Sequence, residues 1–460
     1  MKMTLLGTGV RAPFVLRGLA DRHDDLGLTE VVLHDVDRER LEVMTALGTD
    51  LCREWGAPFT IRGEPEARSA LEGSRFVFSA IRVGQEPARA IDEELPLKYG
   101  VLGQETTGPG GFAMALRTIP VMLEYARLIE EVAPHALLLN FTNPVGIVMQ
   151  ALADHSSVRA VGICDGPVSM KRSLAAYFDV PGDEVYVDYF GLNHCGWIHR
   201  VLIDGRDRLP EVLASFERLQ QIDESWRLFD AELVRALGML PMEYLYFYYY
   251  RQQAVDHILR SGATRGGQVA ALNAELWPAL RERVDVADLP GARHAWERAM
   301  SERGATYFAR ERGEGIPEPS LGGGDGHEIE MFEGEGYEGV ATAVMMAEIQ
   351  RRTVPLILNV VNRGAVRSLR DDDVVEVTCV ADEHGARPIA QGDIPAQAET
   401  LLAQVKLYER LTVDAAVHGS YESALGALLA HPLVASFPVA KSILDAYLSR
   451  HAGLIPDLPA

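Results

Sequence analysis

Cysteine is scarce in this chain, and its few cysteines show no pairing pattern. They stand at positions 52, 164, 195 and 379, without CxxC spacing and without the density of a disulfide scaffold. Long apolar runs are also missing, so no stretch predicts a transmembrane helix. The first residues, MKMTLLGTGV, lead into a strand-like run rather than a signal peptide. Together these absences predict a cytoplasmic protein with reduced thiols.

Basic residues are outnumbered by acidic ones. The chain has 44 Lys and Arg against 66 Asp and Glu, a net charge of -22. Because a field of this sign repels nucleic acid and anionic membrane surfaces, and no basic patch stands out, we expect neither as a partner. The length of 460 residues is too great for one ordinary core and predicts two closely packed domains.

Short apolar runs alternate with helix-length amphipathic stretches over the first 160 or so residues. This alternation is typical of a doubly wound parallel sheet, so we expect an α/β fold with active groups at the carboxyl ends of the strands. We assign residues 1–190 to a Rossmann-type domain and residues 191–460 to a mixed α/β substrate and oligomerisation domain. The predicted strands of the first domain are MTLLG, VVLHD, RFVFSAI, ALLLNF and AVGIC.

The turn after the first predicted strand favours a dinucleotide. It reads G-T-G-V-R-A-P, in which Gly7 and Gly9 allow close backbone approach, and the second strand ends in Asp35, about where a ribose-binding acid is expected. The third glycine of the GxGxxG pattern is absent, so an ordinary glycine turn is the alternative. A carboxylate would repel a 2'-phosphate, and Asp35 therefore favours NAD over NADP.

Two glycine-rich segments read as loops. Residues 82–120 mix arginines, acids, threonines and glycines between a strand and a helix, which predicts a lid over the cofactor and substrate, with a solvated surface loop as the alternative. Residues 322–341, GGGDGHEIEMFEGEGYEGVA, are acidic and predict a solvated loop.

Polar and metal-ligating side chains follow three further strand-like runs. Asn140 and Asn143 stand at a strand end before a helix opened by Pro144, and we expect them to face the crevice. Cys164 and His194 each end a strand, so a parallel sheet could bring a thiolate and an imidazole to one metal ion. The alternatives are a buried thiol and a structural histidine. Cys195 is assigned to the core.

A series of short motifs runs through nearly the whole chain. In order they are G-T-G-V-R-A-P, D-E-x-x-P-L-K, G-Q-E-T-T-G-P-G-G, L-R-T-I-P, N-F-T-N-P-V-G, G-I-C-D-G-P, G-L-N-H-C-G-W, P-M-E-Y-L-Y-F-Y-Y-Y and VVNRGAVRSLRDDDVVEV. This series resembles the NAD-dependent family 4 glycoside hydrolases, and within that family the 6-phospho-β-glucosidases. The resemblance implies a Rossmann-type fold related to that of lactate and malate dehydrogenases.

The resemblance implies hydrolysis without net redox change. NAD+ oxidises the sugar at C3, a base removes the C2 proton, the aglycone leaves by elimination, water adds and the hydride returns; this departs from the two-carboxylate scheme of most glycosidases. Cys164 and His194 are the implied metal ligands. The family implies Mn2+, although thiolate plus imidazole would also suit zinc or iron(II).

The resemblance also implies the catalytic groups. Tyr244 matches the catalytic base, and Asp165 would protonate the departing oxygen. Aspartate after the cysteine is typical of 6-phospho-α-glucosidases, whereas asparagine is common in the β-branch, so both linkages stay open. The tyrosines at 246, 248, 249 and 250 are predicted to be aromatic packing.

Ligand contacts follow from the same match. Arg89, Asn143 and Arg265 would hold the sugar hydroxyls or a phosphate. Arg11 stands where the family's cofactor turn usually carries hydroxyls and would pair with the pyrophosphate, and Asn140 is assigned to the cofactor site. The family also implies a homodimer or homotetramer. Two other classes remain open: a lactate/malate-type dehydrogenase and a catalytically idle sugar-phosphate sensor.

Overall fold

The computed structural model describes residues 1–313, 336–434 and 436–459. Strands in this part of the chain are β1 (Lys2–Leu6), β2 (Glu30–His34), β3 (Thr60–Gly63), β4 (Phe76–Ser79), β5 (Leu137–Asn140), β6 (Arg159–Gly162), β7 (Tyr186–Leu192), β8 (Cys195–Ile203), β9 (Arg206–Asp207), β10 (Leu240–Pro241), β11 (Val354–Val361), β12 (Val374–Asp382) and β13 (Gly385–Pro388).

The α-helices of the same residues are α1 (Ala12–Asp21), α2 (His23–Leu26), α3 (Arg38–Glu54), α4 (Ala67–Leu71), α5 (Gln85–Leu97), α6 (Pro109–Val132), α7 (Val145–His155), α8 (Gly166–Phe178), α9 (Leu209–Ala214), α10 (Phe216–Ile222), α11 (Ala231–Leu237), α12 (Tyr246–Tyr249), α13 (Arg251–Ser261), α14 (Arg265–Asp285), α15 (Leu289–Ala305), α16 (Tyr337–Gln350), α17 (Ala396–His418), α18 (Tyr421–Ala430) and α19 (Phe437–Arg450). Short 3-10 helices lie at Gly182–Glu184, Glu224–Leu228 and Glu243–Leu245.

A parallel sheet forms the centre of the fold. Its strand order is β3-β2-β1-β4-β5-β6, and every pair within this series is parallel. All four residues of β4 and of β5 are buried, which requires cover on both faces of the sheet. The predicted doubly wound α/β fold and its five strands are therefore confirmed, and the short edge strand β3 adds a sixth that the apolar pattern did not indicate.

Strands from the later part of the chain extend the same sheet. Strand β11 runs antiparallel to β6, with Asn359 opposite Gly162, and β12 and β13 continue outward from it. A smaller antiparallel sheet is built on the β7–β8 hairpin with β9 and β10. Thr378 joins the two sheets, because its hydroxyl accepts from the Tyr189 amide at 2.9 Å and donates to the Val187 carbonyl at 2.8 Å. The division at residue 190 stays a prediction.

Although its role as a lid over the cofactor and substrate stays a prediction, the segment 82–120 is mostly helical and is not one long loop. Helices α5 and α6 occupy most of it. The charged residues that suggested a solvated or mobile segment are instead buried and paired: Arg117 forms a bidentate ion pair with Asp92, which also accepts from His451 at 2.8 Å. Buried ion pairs of this kind look the same in sequence as a solvated charged loop.

The acidic segment 322–341 is only partly described. Residues 322–335 of that prediction lie outside the described residues. From Tyr337 onward the chain is the helix α16 and not a loop, and Tyr337 is buried. Within the described residues, no helix has both the length and the apolar character needed to cross a membrane. All four cysteines are free and buried.

Candidate active site

A cleft of about 1040 Å³ opens at the carboxyl ends of β1, β2, β4, β5 and β6. One wall, here called the strand-end wall, consists of the segments that follow those strands together with His194. The opposite wall, the helical wall, consists of the start of α14, the end of α15 with Tyr307, and the start of α16. Cleft residues that belong to the predicted site are Gly7, Gly9, Arg11, Asp35, Arg89, Asn143, Cys164, Asp165, His194, Tyr244 and Arg265.

The glycine turn after β1 has the close packing that a dinucleotide turn needs. Gly7 has φ of +88° and a Cβ there would lie 2.7 Å from the carbonyl oxygen of Ala80, whereas a Cβ on Gly9 would meet nothing within 4 Å. Asp35 braces the turn by accepting from the Thr8 amide at 2.8 Å. The turn and the start of α1 thus leave open space at a helix N-terminus, where an anionic pyrophosphate can be held.

Arg11 does not face empty space above this turn. Its guanidinium lies 4.6 Å from the centroid of the Tyr337 ring, which itself stacks on Phe141 at 4.1 Å. Its Nη2 atom is 3.7 Å from Oδ2 of Asp165, and both side chains are nearly half exposed. Arg11 therefore joins the cofactor turn to the segment after β6, and its pairing with a pyrophosphate stays a prediction.

The two asparagines after β5 have different environments. Asn140 is fully buried, exchanges hydrogen bonds with the backbone of Thr142 at 3.2 and 3.3 Å, and does not line the cleft. The structure thus contradicts a direct contact of its side chain with a cofactor, because its amide is used to close the loop. Asn143 does line the cleft, and its buried Oδ1 has no hydrogen-bond partner among the described residues. That oxygen can accept a hydrogen bond from a ligand hydroxyl.

Cys164 and His194 reach the same cleft from different sheets. Cys164 lies two residues beyond β6, as expected. His194 lies in the turn between β7 and β8 of the small antiparallel sheet with φ of +62°, so the expectation that it ends a parallel strand is wrong. A tight hairpin turn, rather than the parallel sheet, presents its ring to the cleft.

Both groups are deeply buried, and burial sets their protonation. Burial raises the pKa of the Cys164 thiol well above its ordinary value, and the nearby Glu376 and Asp165 carboxylates raise it further. Burial lowers the pKa of His194 to about 4, against the opposing effects of Asp165 and Glu105. His194 is therefore a neutral imidazole at neutral pH, the form that can donate a lone pair to a metal ion.

Thr106 fixes which nitrogen of His194 carries the proton. The Thr106 hydroxyl lies 2.7 Å from Nδ1 of His194 and 3.2 Å from Oε1 of Gln104. An amide oxygen only accepts, so the hydroxyl donates to Gln104 and accepts from an Nδ1–H of His194. The Nε2 atom then carries the lone pair. This contact had no signal in the sequence beyond the quoted G-Q-E-T-T-G motif.

The donor set fits an open metal site. Cys164 would supply a thiolate and His194 its Nε2 lone pair. The described residues contain no cluster of three or more His, Cys, Asp or Glu side chains arranged to hold a metal. Two protein ligands leave the remaining coordination positions to substrate oxygens or water, as in catalytic rather than structural sites. Thiolate with imidazole does not by itself select manganese.

Tyr244 stacks directly on His194. The ring centroids are 3.8 Å apart and the planes differ by 8°. The Tyr244 hydroxyl is 3.0 Å from that of Tyr307, which donates to Oε1 of Glu243 at 3.0 Å. Burial, followed by the Glu243 carboxylate, raises the pKa of Tyr244 well above its ordinary value. A neighbouring cation is therefore needed before this phenol can accept a proton from carbon near neutral pH.

The other tyrosines of the P-M-E-Y-L-Y-F-Y-Y-Y motif face away from the cleft and pack. Tyr246 donates to the backbone carbonyl of Glu311 at 2.9 Å and stacks on Tyr250 at 5.2 Å. Tyr249 accepts from the indole N–H of Trp197 at 3.3 Å. None of these rings lines the cleft, in agreement with the packing role expected from the sequence.

Arginines crowd the middle of the cleft. Arg89 contacts Glu93 at 2.7 Å and Glu105 at 3.0 Å, and Glu105 also pairs with Arg82. Burial acts to raise the pKa of Glu105, but Arg82 and Arg89 outweigh it and hold that pKa well below its usual range. Glu105 therefore stays ionised and neutralises part of the cationic charge.

Arg265 has neutral partners instead of a carboxylate. Its Nη1 donates to Oγ1 of Thr306 at 2.6 Å and to Oε1 of Gln268 at 3.0 Å. Arg303 from α15 also lines the cleft and was not anticipated. Sequence reasoning also missed Tyr307, because neither residue stands in a motif or at the end of a strand.

Comparisons with known proteins cover nearly the whole chain. The Family 4 glycosyl hydrolase model matches residues 2–180, and the Family 4 glycosyl hydrolase C-terminal domain matches residues 189–434. A Bacillus subtilis protein named probable 6-phospho-beta-glucosidase is 33% identical over 99% of this chain and 97% of its own length. The 6-phospho-beta-glucosidase of Escherichia coli is 29% identical over 99% of this chain and 96% of its own length.

Solved structures extend the comparison to the fold. The Thermotoga maritima 6-phospho-beta glucosidase with manganese, NAD+ and glucose-6-phosphate has a TM-score of 0.81 at 25% identity, covering 99% of this chain and all of that chain. A 6-phospho-alpha-glucosidase from gut microorganisms in complex with NAD and Mn2+ has a TM-score of 0.80 at 27% identity, covering all of this chain and 99% of its own.

A more distant structure tests the expected kinship with dehydrogenases. Malate dehydrogenase of Plasmodium falciparum shares the fold at a TM-score of 0.53 and 11% identity, covering 91% of this chain and 99% of that chain. The expected dehydrogenase-like architecture and the family resemblance are both confirmed. The chain belongs to glycosyl hydrolase family 4.

Proposed function

We propose that this enzyme hydrolyses 6-phosphoglucosides and that it requires NAD+ and a divalent metal ion, which we propose is Mn2+. The observation that carries the proposal is the convergence of Cys164, His194 and Tyr244 in one cleft with the Gly7–Gly9 cofactor turn. A dehydrogenase acting on hydroxy acids would need neither the thiol nor the stacked tyrosine.

Two bound groups would supply chemistry that the side chains lack. Bound NAD+ would supply reversible hydride acceptance at C3 of the sugar, which would make the C2 proton acidic. Cys164 and Nε2 of His194 would hold the metal ion, which would supply Lewis-acid polarisation. The glycine turn and Asp35 would hold the dinucleotide, with Arg11 beside its pyrophosphate.

The side chains then perform the proton transfers. Tyr244 takes the proton from C2, the bond between C1 and the aglycone oxygen breaks, and Asp165 gives a proton to the departing oxygen. Water then adds its hydroxide to C1 of the resulting C1–C2 double bond and gives its proton to Asp165, while Tyr244 returns the proton it holds to C2. Asn143 is placed to accept from a sugar hydroxyl, since its buried Oδ1 has no other partner among the described residues.

Positively charged side chains in the cleft support the proposal that the sugar carries a phosphate. Arg89 and Arg265 lie together there, and a guanidinium fork suits a phosphate. Relatives of this chain bind glucose-6-phosphate, as in the Thermotoga maritima structure. Relatives with either anomeric preference match the chain over nearly its whole length. Because aspartate at position 165 is typical of 6-phospho-α-glucosidases, substrates with an α-linkage should be tested together with those that have a β-linkage.

The assay should compare nitrophenyl α- and β-glucosides, each with and without a 6-phosphate, in the presence of NAD+, Mn2+ and a thiol reductant. We expect release of nitrophenol only from a phosphorylated glucoside and only with both NAD+ and the metal, without lasting NADH absorbance. Stoichiometric accumulation of NADH would instead establish a dehydrogenase. No turnover of any sugar, despite tight sugar-phosphate binding, would favour a sensor.

Assembly and location complete the proposal. We propose a homodimer or homotetramer, which the family resemblance alone supports, and light scattering of the purified protein tests it. We also propose a cytoplasmic location. Its support is the chemistry of Cys164, which must remain a free thiol to act as a ligand and is unpaired in the structure. Fractionation of cells that carry the tagged protein tests the location.

A further inference from the structure

Glu376 is a buried carboxylate that side chains from both sheets contact. It lies in β12 and is 1% exposed. Its Oε1 atom accepts from Nδ2 of Asn359 at 2.8 Å and from Nδ2 of Asn193 at 3.0 Å, and its Oε2 atom accepts from the Tyr189 hydroxyl at 2.9 Å. All three of these donors are neutral. Because burying a carboxylate is costly even when it is hydrogen-bonded, its presence at this point indicates a role beyond packing.

The donors to this carboxylate come from the segments that carry the two predicted metal ligands. Asn193 directly precedes His194 in the turn between β7 and β8. Asn359 of β11 lies opposite Gly162 of β6, which is two residues before Cys164. A Cβ on Gly162 would lie 2.7 Å from the Cβ of Asn359, so the two strands are in close contact here. One carboxylate therefore links the segment of the thiol to the turn of the imidazole.

Strand pairing alone does not set the distance between the two ligands. Cys164 follows a strand of the large sheet, His194 lies in the hairpin of the small sheet, and the two sheets share no strand among the described residues. Their relative placement therefore depends on side chains that join the sheets. The Glu376 carboxylate is such a connection, and it is close enough to Cys164 to raise the pKa of the thiol.

We propose that Glu376 is a positioning residue of the metal site, which holds the His194 turn at the distance from Cys164 that one metal ion requires. This inference rests on the proposed function, because it presumes that these two residues bind the metal. Ligands of a functional site must be held within about 0.5 Å, and partners outside the ligand set provide that precision. Glu376 does not line the cleft, so it acts through Asn193 and not by contact with the metal ion or the sugar.

The test measures Mn2+ binding to the full-length protein with NAD+ present, by electron paramagnetic resonance of free Mn2+. Glu376→Met removes all three hydrogen bonds and should weaken Mn2+ binding by about 10- to 100-fold, the usual effect of losing a partner that orients a metal ligand. Asn193→Ala, which removes the donor next to His194, should act in the same direction. Glu376→Gln should bind Mn2+ nearly as well as the wild type, because its amide oxygen can accept from both asparagines and its amide nitrogen can donate to the Tyr189 hydroxyl.

Two further measurements separate positioning from a general loss of structure. With Co2+ in place of Mn2+, the absorption spectrum at saturation reports the ligand set and its geometry. It should change in Glu376→Met and stay that of the wild type in Glu376→Gln. Thr378→Val is the matched control, because Thr378 stands two residues further along β12 and joins the same sheets through the backbone of Tyr189 and Val187. This control should lower the melting temperature and leave the affinity for Mn2+ unchanged.

The outcomes distinguish this inference from the proposed function. If Cys164→Ser binds Mn2+ as tightly as the wild type, the ligand assignment itself is wrong. If Cys164→Ser loses binding while Glu376→Met and Asn193→Ala keep it, only the role of Glu376 is wrong. An equal loss in Thr378→Val, or a loss in Glu376→Gln as large as in Glu376→Met, would overturn the positioning role in favour of sheet packing or of charge. If melting shows that Glu376→Met is unfolded, Asn193→Ala decides.

Discussion

The two walls of the cleft are held in place by different forces. Segments of the strand-end wall follow buried strands by one to three residues, so backbone hydrogen bonds of the sheets fix them. The helical wall is attached through side chains. Trp296 of α15 donates to the carbonyl oxygen of Val10 at 2.7 Å, and the Glu93 carboxylate of α5 accepts a hydrogen bond from the backbone amide of Gly266. The strand-end wall therefore supplies the rigid thiol and imidazole, whereas the helical wall supplies charge from positions that depend on packing.

Tyr244 connects the walls, and its loss should have the largest effect. Its ring stacks on His194 and its hydroxyl meets Tyr307 of the helical wall. Tyr244→Phe should lower kcat by about 10²- to 10⁴-fold, the usual contribution of a general base, and stop deuterium incorporation at C2 during hydrolysis in D2O. Tyr307→Phe removes only the supporting hydroxyl and should cost about 10-fold or less in kcat.

Rate assays and NMR of the product measure both effects. Normal turnover by Tyr244→Phe with deuterium still at C2 would assign the base to another residue. An equal loss in the two variants would mean that the helical wall takes part in the chemistry itself, and the distinction between the walls would then fail.

The second effect concerns the imidazole on the strand-end wall. Thr106→Val keeps the shape of the side chain but removes the hydroxyl that accepts from Nδ1–H of His194. The affinity for Mn2+ should therefore fall by about 10- to 100-fold, as it does when other residues that orient a metal ligand are lost. Electron paramagnetic resonance of free Mn2+ measures this without any turnover. The matched control is Thr107→Val, because the buried Thr107 hydroxyl has no hydrogen-bond partner among the residues that the structure describes. Equal Mn2+ affinity in both variants would contradict the assignment.

The third effect tests the attachment of the helical wall. Trp296→Phe removes the indole N–H, so the buried carbonyl oxygen of Val10 loses its hydrogen-bond donor. The free energy of unfolding should therefore fall by about 1 to 3 kcal/mol. NAD+ affinity should fall with it, since Val10 belongs to the cofactor turn. Trp277→Phe is the control, because the buried Trp277 indole N–H has no partner among the described residues. Denaturant titrations that rank Trp277→Phe as the more damaging variant would show that packing, rather than this hydrogen bond, attaches α15.

The smallest effect is expected for an ion pair within the strand-end wall that is partly exposed to solvent. The Arg11–Asp165 pair is 3.7 Å long with side chains 43% and 46% exposed, so Arg11→Met should change the free energy of unfolding by less than about 1 kcal/mol. Denaturant titration at low and high salt checks this value. A larger, salt-sensitive loss would indicate that the pair holds the cofactor turn and the segment after β6 together.

The strand-end wall could largely be predicted from the sequence, and the helical wall could not. Gly7, Asp35 and Cys164 follow apolar strands of a parallel sheet, and the ends of such strands meet at one edge whatever the rest of the chain does. Asn140 stands in the same kind of position, yet its short amide side chain turns back to its own loop, which the pattern does not specify.

Arg303 illustrates what sequence patterns do not contain. It lies on a helix among other charged residues, and one of the contacts that place this helix is the hydrogen bond from Trp296 to the carbonyl oxygen of Val10, 286 positions earlier in the chain. Thr106 is similar, since its partner His194 is 88 positions away on another sheet. Long-range contacts of single polar atoms decide these positions, and no local periodicity reports them.

The antiparallel strand β11 closes the side of the parallel sheet at β6. During synthesis on the ribosome, residues 1–190 emerge well before Val354–Val361 exists, so the nascent chain carries an open strand edge for the time needed to translate the intervening residues. Exposed strand edges invite pairing with other chains. The two halves recognised by the family comparison are therefore poor candidates for separate expression, and a premature stop before β11 would leave an aggregation-prone product rather than a free cofactor-binding module.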